Sequence, residues 1–441
     1  MTFDLAKLEA RLLAPLPDLS HLSAEEQFAL IKEKAAAGHS IVTEGELLAR
    51  LKDSKKKGVP LKFKLGIDPT GPDIHIGHAI SLINLRRIHK MGHAIQFVIG
   101  DFTAMVGDPG GRMDSRPPLT RAGVEANMAS YEAQAASVLD LKAPRVTRHF
   151  NSEWLGPLTL TDWLRITSKI GVSQLLQRED FRKRLDEGLP LSLAEAEYAL
   201  LMGYDSVILK SDVEVGGMDQ FLNFHFCRGM MEAAGQLPES FVCFDLLPGT
   251  TGEKDEQGRL RKMSKSRGNY IPLNASAADK YGKVMSVPDD VMWIWFREIT
   301  EIRTAELNEL KAEVEGGRMH PKDAKHLLAR VVTATFHHYD LKLVAEAEEA
   351  FKGKFGKAAQ LVPDDVKELT LKAGDKVSAA LTEALGESSS QVRRLVTQKG
   401  IQWLDGADYV AIPEAALAQP AAILDGKVVK VGKLRYFRFK A

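Results

Sequence analysis

Cysteine is nearly absent: Cys227 and Cys243 are the two that this chain of 441 residues carries. They are too few for a disulfide framework and lack the paired spacing of metal ligands, so two reduced, partly buried thiols are expected. Net charge is missing as well, since 59 Lys and Arg balance 59 Asp and Glu. That excludes a global basic pull on nucleic acid and requires any RNA contact to come from a local patch. No apolar run approaches the ~20 residues of a membrane-spanning helix. The start, Met1 to Lys7, lacks the charged-then-apolar build of a signal peptide, and a cytoplasmic chain is the expectation. What the chain does have is core-forming material, 44% hydrophobic with 27% charged, enough for about two to four domains.

Leu61 to Asp68 is short, apolar-rich and closed by Pro69-Thr70-Gly71-Pro72, the pattern of a buried strand entering a loop. Ile76, Ile80, Ile83, Leu85 and Ile88 then recur at helical spacing up to Gly92, with Asp73 placed to cap the helix start. Ala94 to Ile99 supplies a second strand and completes a βαβ unit, whose ligands sit beyond the carboxyl end of the strand at the helix N-terminus. His75 and His78 fall on that first turn, three residues apart and on one face, aimed at the phosphate position. Far downstream, Lys262-Met263-Ser264-Lys265-Ser266 lies in a polar, glycine-bearing run from Gly249 to Asn269 that has no helical or strand period. A loop of this kind moves, and two ammonium groups on it can close on the β- and γ-phosphates as charge develops during loss of pyrophosphate. Together the two motifs describe an adenylating enzyme that handles ATP.

These motifs are joined by Gly66-Ile67-Asp68-Pro69-Thr70, by the run Ile99 to Pro109, by Tyr198 with Asp205 seven residues on, and by Gly216-Gly217-Met218-Asp219-Gln220. Over almost its whole length the chain resembles the class I aminoacyl-tRNA synthetases, and among them the bacterial tyrosyl-tRNA synthetases. The resemblance implies an α/β fold: a Rossmann-like, doubly wound parallel sheet over 1–285 that includes the lysine loop. An α-helical anticodon-binding region over 286–350, a linker over 351–375 and a small α+β RNA-binding domain of the S4 type over 376–441 would follow. It also implies a two-step reaction in which the carboxylate of L-tyrosine attacks the α-phosphate of ATP and the aminoacyl group then passes to the terminal ribose of tRNA(Tyr). Magnesium would accompany ATP without a dedicated protein metal site, and the enzyme would be a homodimer. Tryptophan is the near competitor, because tryptophanyl synthetases resemble this scaffold; a synthetase-derived RNA-binding protein is the alternative from another class.

The same resemblance assigns tasks to residues. His75 and His78 would be catalytic, steadying the ATP phosphates and ribose region together with Asp68, Thr70 and Gly77. Lys262 and Lys265 would clamp the departing pyrophosphate, with Ser266 helping to hold the loop and Arg112 and Arg116 adding cations. Asp219 would accept from the ribose hydroxyls, and Gly216 and Gly217 would let backbone approach the nucleotide. Asp108 and Tyr198 would hold the substrate ammonium, Asp205 would accept from its phenol, and Gln220 would lie near its carboxylate. No general base is required, since a carboxylate is ionised at neutral pH. Two positions depart from the family: Met202 stands where a glutamine usually helps bind the ammonium, and Lys64 where many members place a tyrosine beside the phenol.

Toward the C-terminus the pattern turns helical, over Val291 to Phe296, Ala305 to Glu315 and from Pro321 through Val332. From Lys376 on, ten Lys and Arg stand against six Asp and Glu. A helix pair presents Arg393 and Arg394, and Gly426 to Phe439, with Lys433 and Arg435, forms a basic hairpin expected to engage the phosphates of structured RNA.

Overall fold

The computed structural model describes residues 3–110, 119–176, 178–355, 366–405, 408–432 and 435–440. The chain forms two compact units, Met1–Ala345 and Glu346–Ala441, the division falling within the helix Leu341–Phe355.

The first unit is built on six strands: β1 (Ile41–Val42), β2 (Lys62–Ile67), β3 (Ala94–Ile99), β4 (Val146–Phe150), β5 (Val213–Gly217) and β6 (Ser240–Phe244). They lie in the order β1-β6-β5-β2-β3-β4, all parallel except the short β1. The expected βαβ unit is present, with Lys62 opposite Ala94 through Ile67 opposite Ile99 and the helix Ile76–Lys90 between the strands. Phe63, Ile95, Phe97, Val213 and Phe241 are buried, because helices cover both faces of a parallel sheet. Chain order reverses between β2 and β5, so the loops leaving the carboxyl ends of β2, β3, β5 and β6 converge on one crevice. That crevice gathers the sequence motifs.

The helix cap differs from expectation. His75, with extended backbone, is the N-cap and makes no side-chain cap bond, while the Asp73 carboxylate accepts from Asn274 Nδ2 at 3.0 Å. The first turn needs no aspartate, because Ile76 N–H donates to Ile271 O at 2.9 Å and ties the helix start to the chain leaving the lysine loop. Residues 286–345 belong to this same unit. Their helices Met292–Ile299, Thr304–Glu315 and Pro321–Thr335 are anchored where Glu301 accepts from Arg87 at 2.7 Å and Lys34 Nζ donates to the carbonyls of Arg297, Thr300 and Ile302. Burial would raise the Glu301 carboxyl, but Arg87, Arg86 and Lys34 outweigh it and push it down to about 2.

The second unit holds β7 (Lys367–Thr370), β8 (Ile401–Asp405), β9 (Asp408–Ala411), β10 (Val428–Val431) and β11 (Arg435–Lys440), in the order β7-β11-β10-β8-β9. β7 lies inside the stretch expected as linker and pairs in parallel with β11; its alternation is too brief to stand out from a Lys-rich surrounding. The expected hairpin is β10 with β11. Helices Val377–Leu385 and Ser389–Thr397, the second opened by a Ser388 capping box, pack Leu381, Val392 and Val396 onto Ile401, Val429, Phe437 and Phe439.

Candidate active site

At the phosphate end of the crevice the two histidine rings stack, centroids 3.7 Å apart. Gly77 makes this possible: a Cβ there would stand 3.0 Å from His75 Nδ1 and 3.4 Å from Met263 Cβ. His75 is buried and its Nδ1 has no hydrogen-bond partner among the described residues. Burial, and then His78, Lys265 and Lys262, push His75 down to about 2. His78, whose free edge reaches solvent, is pushed down less, to about 4, by its place in the cleft and by Lys265 and Lys262. At neutral pH both rings are uncharged hydrogen-bonding groups, and the positive charge of this end belongs to the lysines.

The lysine loop is pinned at its middle. Met263 is buried and its N–H donates to Leu247 O at 2.8 Å, while Ser264 N–H donates to Asn269 Oδ1 at 2.8 Å. With its backbone held, Lys262 reaches across to Asp219, Nζ to Oδ2 2.8 Å. Lys265 Nζ lies 3.2 Å from where a Cβ on Gly71 would stand, above the turn that carries Thr70. Ser266 Oγ is 2.9 Å from Ser264 Oγ, inside the loop itself. Gly217 leaves room for the Asp219 carboxylate, whose Oδ1 lies 2.7 Å from where a Cβ would stand, whereas the space at Gly216 is filled by the ring of Phe224, 2.6 Å away. At Gly216 the absence of a Cβ is therefore used by packing against Phe224. Arg112 and Arg116 lie outside the described residues.

At the other end, polar side chains from separate segments join into one chain of hydrogen bonds. Tyr198 Oη donates to Asp68 Oδ2 at 2.9 Å and Thr103 Oγ1 to Asp68 Oδ1 at 2.7 Å. Asn151, fully buried, donates to Thr103 Oγ1 at 3.0 Å and to Asp205 Oδ2 at 3.4 Å, and Trp154 Nε1 donates to Asp205 Oδ1 at 2.8 Å. Beside this chain, Gln220 Nε2 donates to Asp108 Oδ2 at 2.8 Å and is itself oriented by Asn223 and, behind that, Arg178. Burial raises Asp205 to about 7 against the pull of Lys64, Trp154 and Asn151. Asp68, on the cleft floor, is raised to about 7 for the same first reason, with Thr103 and Tyr198 opposing. Tyr198 thus meets Asp68 as well as standing near Asp108, a partnership the sequence pattern does not contain. Asn151, Trp154, Asn223 and Arg178 escape sequence reasoning altogether, and Thr103, inside the run Ile99 to Pro109, receives no role from it, because each acts on a residue brought to it only by the fold.

The two departures have separate explanations. Met202 lies in an apolar cluster with Tyr198, Phe224, Cys227, Phe241 and Cys243, and both cysteines are fully buried thiols. Lys64, 1% exposed, pairs with Glu214 at 2.9 Å and donates to Ser206 Oγ, which donates in turn to Glu239 Oε1 at 2.7 Å, and its charge also acts on Asp205. Burial opposes the Lys64 charge, but Glu214 and Glu239 together hold its ammonium above its usual range, while burial and the Glu214 charge push Glu239 well up. Among the described residues, Glu214, Cys227 and Glu239 are near enough to hold a metal ion, yet the cation in place there is Lys64.

A parallel sheet reversing at β2 and β5, with a His-x-Gly-His turn and a Lys-Met-Ser-Lys-Ser loop facing each other across its crevice, defines a class I aminoacyl-tRNA synthetase. The family model for class I tRNA synthetases (W and Y) matches residues 55–355, and the chain belongs to that family, whose members use ATP as substrate. It is 38% identical over 420 residues to the tyrosine–tRNA ligase of Desulfotalea psychrophila, covering 94% of this chain and 98% of that one. It is 40% identical over 400 residues to the ligase of the same name from Cupriavidus pinatubonensis, covering 90% and 92%. Among solved structures, the C-terminally truncated mitochondrial tyrosyl-tRNA synthetase of Aspergillus nidulans has a TM-score of 0.59 at 20% identity, covering 80% of this chain and 100% of that one. The tryptophanyl-tRNA synthetase of Plasmodium falciparum, at TM-score 0.51 and 15% identity over 79% and 93%, shares the fold.

Proposed function

We propose that this chain is a tyrosine–tRNA ligase, which joins L-tyrosine to AMP with release of pyrophosphate and then transfers it to the 3′ end of tRNA(Tyr). The observation that carries the substrate is Asp205, buried at the inner end of the crevice with its neighbours Trp154 and Asn151 both donating to it. A carboxylate in that position accepts the phenol hydroxyl, and phenylalanine would leave that hydrogen bond unmade against a buried carboxylate. Asp68, Asp108 and Tyr198 gather negative and hydroxyl oxygen where the substrate ammonium would rest, which removes the need for an amide at Met202. Gln220, oriented by Asn223, is placed to donate to the carboxylate.

Catalysis here is positioning plus charge stabilisation. His75 and His78, uncharged, donate to phosphate and ribose oxygens. Lys262 exchanges Asp219 for the pyrophosphate when ATP arrives, freeing Asp219 to accept from the ribose, and Lys265 closes from above Gly71 and Thr70. Magnesium travels with ATP. Arg393 and Arg394, both exposed on one helix, and Arg435 at the start of β11 would hold tRNA phosphates; Lys433 lies outside the described residues. A second copy of the chain would cover the exposed Leu160, Leu164, Val172 and Leu176, giving a homodimer. Charging of total tRNA with each amino acid in turn tests the reading. Acceptance of tyrosine alone is expected, and acceptance of tryptophan, or of none, overturns it.

A further inference from the structure

The C-terminal sheet has two faces, and the helix pair covers only one. Ile401, Trp403, Val429, Val431, Phe437 and Phe439 pack toward the helices Val377–Leu385 and Ser389–Thr397. Because side chains alternate along a strand, the opposite face carries the residues between them. Register places Lys430 opposite both Tyr436 and Gln402, and Leu404 opposite Tyr409. On this open face Tyr409 and Tyr436 meet edge-on with centroids 6.1 Å apart, and Lys430 Nζ lies 5.3 Å from one ring and 5.8 Å from the other. All three are half-buried. Arg438 and Lys440 follow Tyr436 at alternate positions on the same side and share one carboxylate, Glu368, at 3.8 Å and 2.8 Å. Lys430, Arg438 and Lys440 therefore stand with Glu368 beside two aromatic rings, a surplus of positive charge.

We propose that this open face, centred on Tyr409, Lys430 and Tyr436, is a second RNA contact, where an unpaired base of structured RNA stacks on the tyrosines. Its flanking phosphates meet Arg438 and Lys440. The inference rests on the tRNA-ligase reading and adds a surface separate from the arginines of the helix pair. The chemistry favours RNA: a ring accepts any base face, a lysine held over the rings tracks the backbone charge, and the surplus of cations matches phosphate. A purely structural cluster would need neither the surplus nor its place on the uncovered face. One RNA domain of two faces would grip both the phosphates and a splayed base of the same fold.

Binding of a tRNA(Tyr) transcript to the full chain tests this, with salt varied. Tyr409→Leu and Tyr436→Leu should each weaken binding about tenfold, Tyr436→Phe should stay within about twofold, and Lys430→Met should lower the salt slope by about one. Acetylation of the unsubstituted protein, read by mass spectrometry, should show Lys430 protected by bound tRNA. Equal labelling of Lys430 with and without tRNA, or full binding by the double leucine variant, overturns the proposal. Tyrosine-dependent pyrophosphate exchange, measured on the unsubstituted chain beside these, judges the ligase reading independently: exchange with no effect at this face sinks only the second contact.

Discussion

On the proposed reading Asp205 is the residue on which selectivity turns, and its protonation is unusual. Burial raises it to about 7, so between its ordinary value near 3.8 and about 7 the folded protein binds a proton that the unfolded chain has released. Stability therefore falls as pH rises through that window, and the cost is complete above it. Asp205→Asn removes the charge while keeping an oxygen for Trp154. The variant should melt about 2–4 °C higher than the parent at pH 8, with the difference vanishing near pH 4, while losing tyrosine-dependent activity. A variant less stable at every pH would refute the assigned cause. The lysines call for the opposite pattern. Lys262→Ala and Lys265→Ala should each slow pyrophosphate exchange about 10²-fold with tyrosine affinity unchanged, since their work falls in the transition state. Lys262 and Asp219 are both solvent-reachable, so loss of their ion pair should cost well under 1 kcal/mol of stability.

At the scale of elements, the site is assembled by turns that leave strand ends, and a very tight one is at Gly100 after β3. A Cβ there would lie 2.0 Å from Asp68 Oδ1 and 2.4 Å from Thr103 Oγ1. Gly100→Ala should therefore destabilise by about 1–3 kcal/mol and weaken tyrosine binding, read by calorimetry and by the apparent tyrosine constant. This scale also separates what sequence reveals from what it hides. β2, the following helix and β3 are legible because apolar periodicity and Gly/Pro punctuation are local. The helix pair of the C-terminal unit is legible from Ser388 and its neighbours for the same reason. Asn151 and Trp154 are not, because a buried asparagine after β4 has no pattern until the fold delivers Asp205 to it. Asp73 misleads because a good capping residue lies two positions from a start that backbone pairing with Ile271 already secures. β7 is hidden in a polar stretch that becomes a strand only against β11.

For the whole molecule, the two units have separate cores, and on the proposed reading their tasks divide accordingly. A chain ending at Phe355 should retain tyrosine-dependent pyrophosphate exchange within about twofold, because every residue assigned to ATP and tyrosine lies in the first unit. Its affinity for tRNA(Tyr) should fall by about 10²-fold or more, in line with the loss of several phosphate contacts. Loss of exchange on truncation would show that the first unit does not hold a complete site. The ATP motifs are the most legible feature of the sequence, yet they specify the class and not the amino acid. On the proposed reading that choice falls to an aspartate, Asp205, its buried neighbours and the charge of Lys64 behind it. Selection of tyrosine by this pocket is tested most directly by pyrophosphate exchange into ATP with tyrosine, tryptophan and phenylalanine supplied separately. Exchange with tyrosine and background with the other two is the expected result; exchange driven by tryptophan, or equal exchange with phenylalanine, would contradict it.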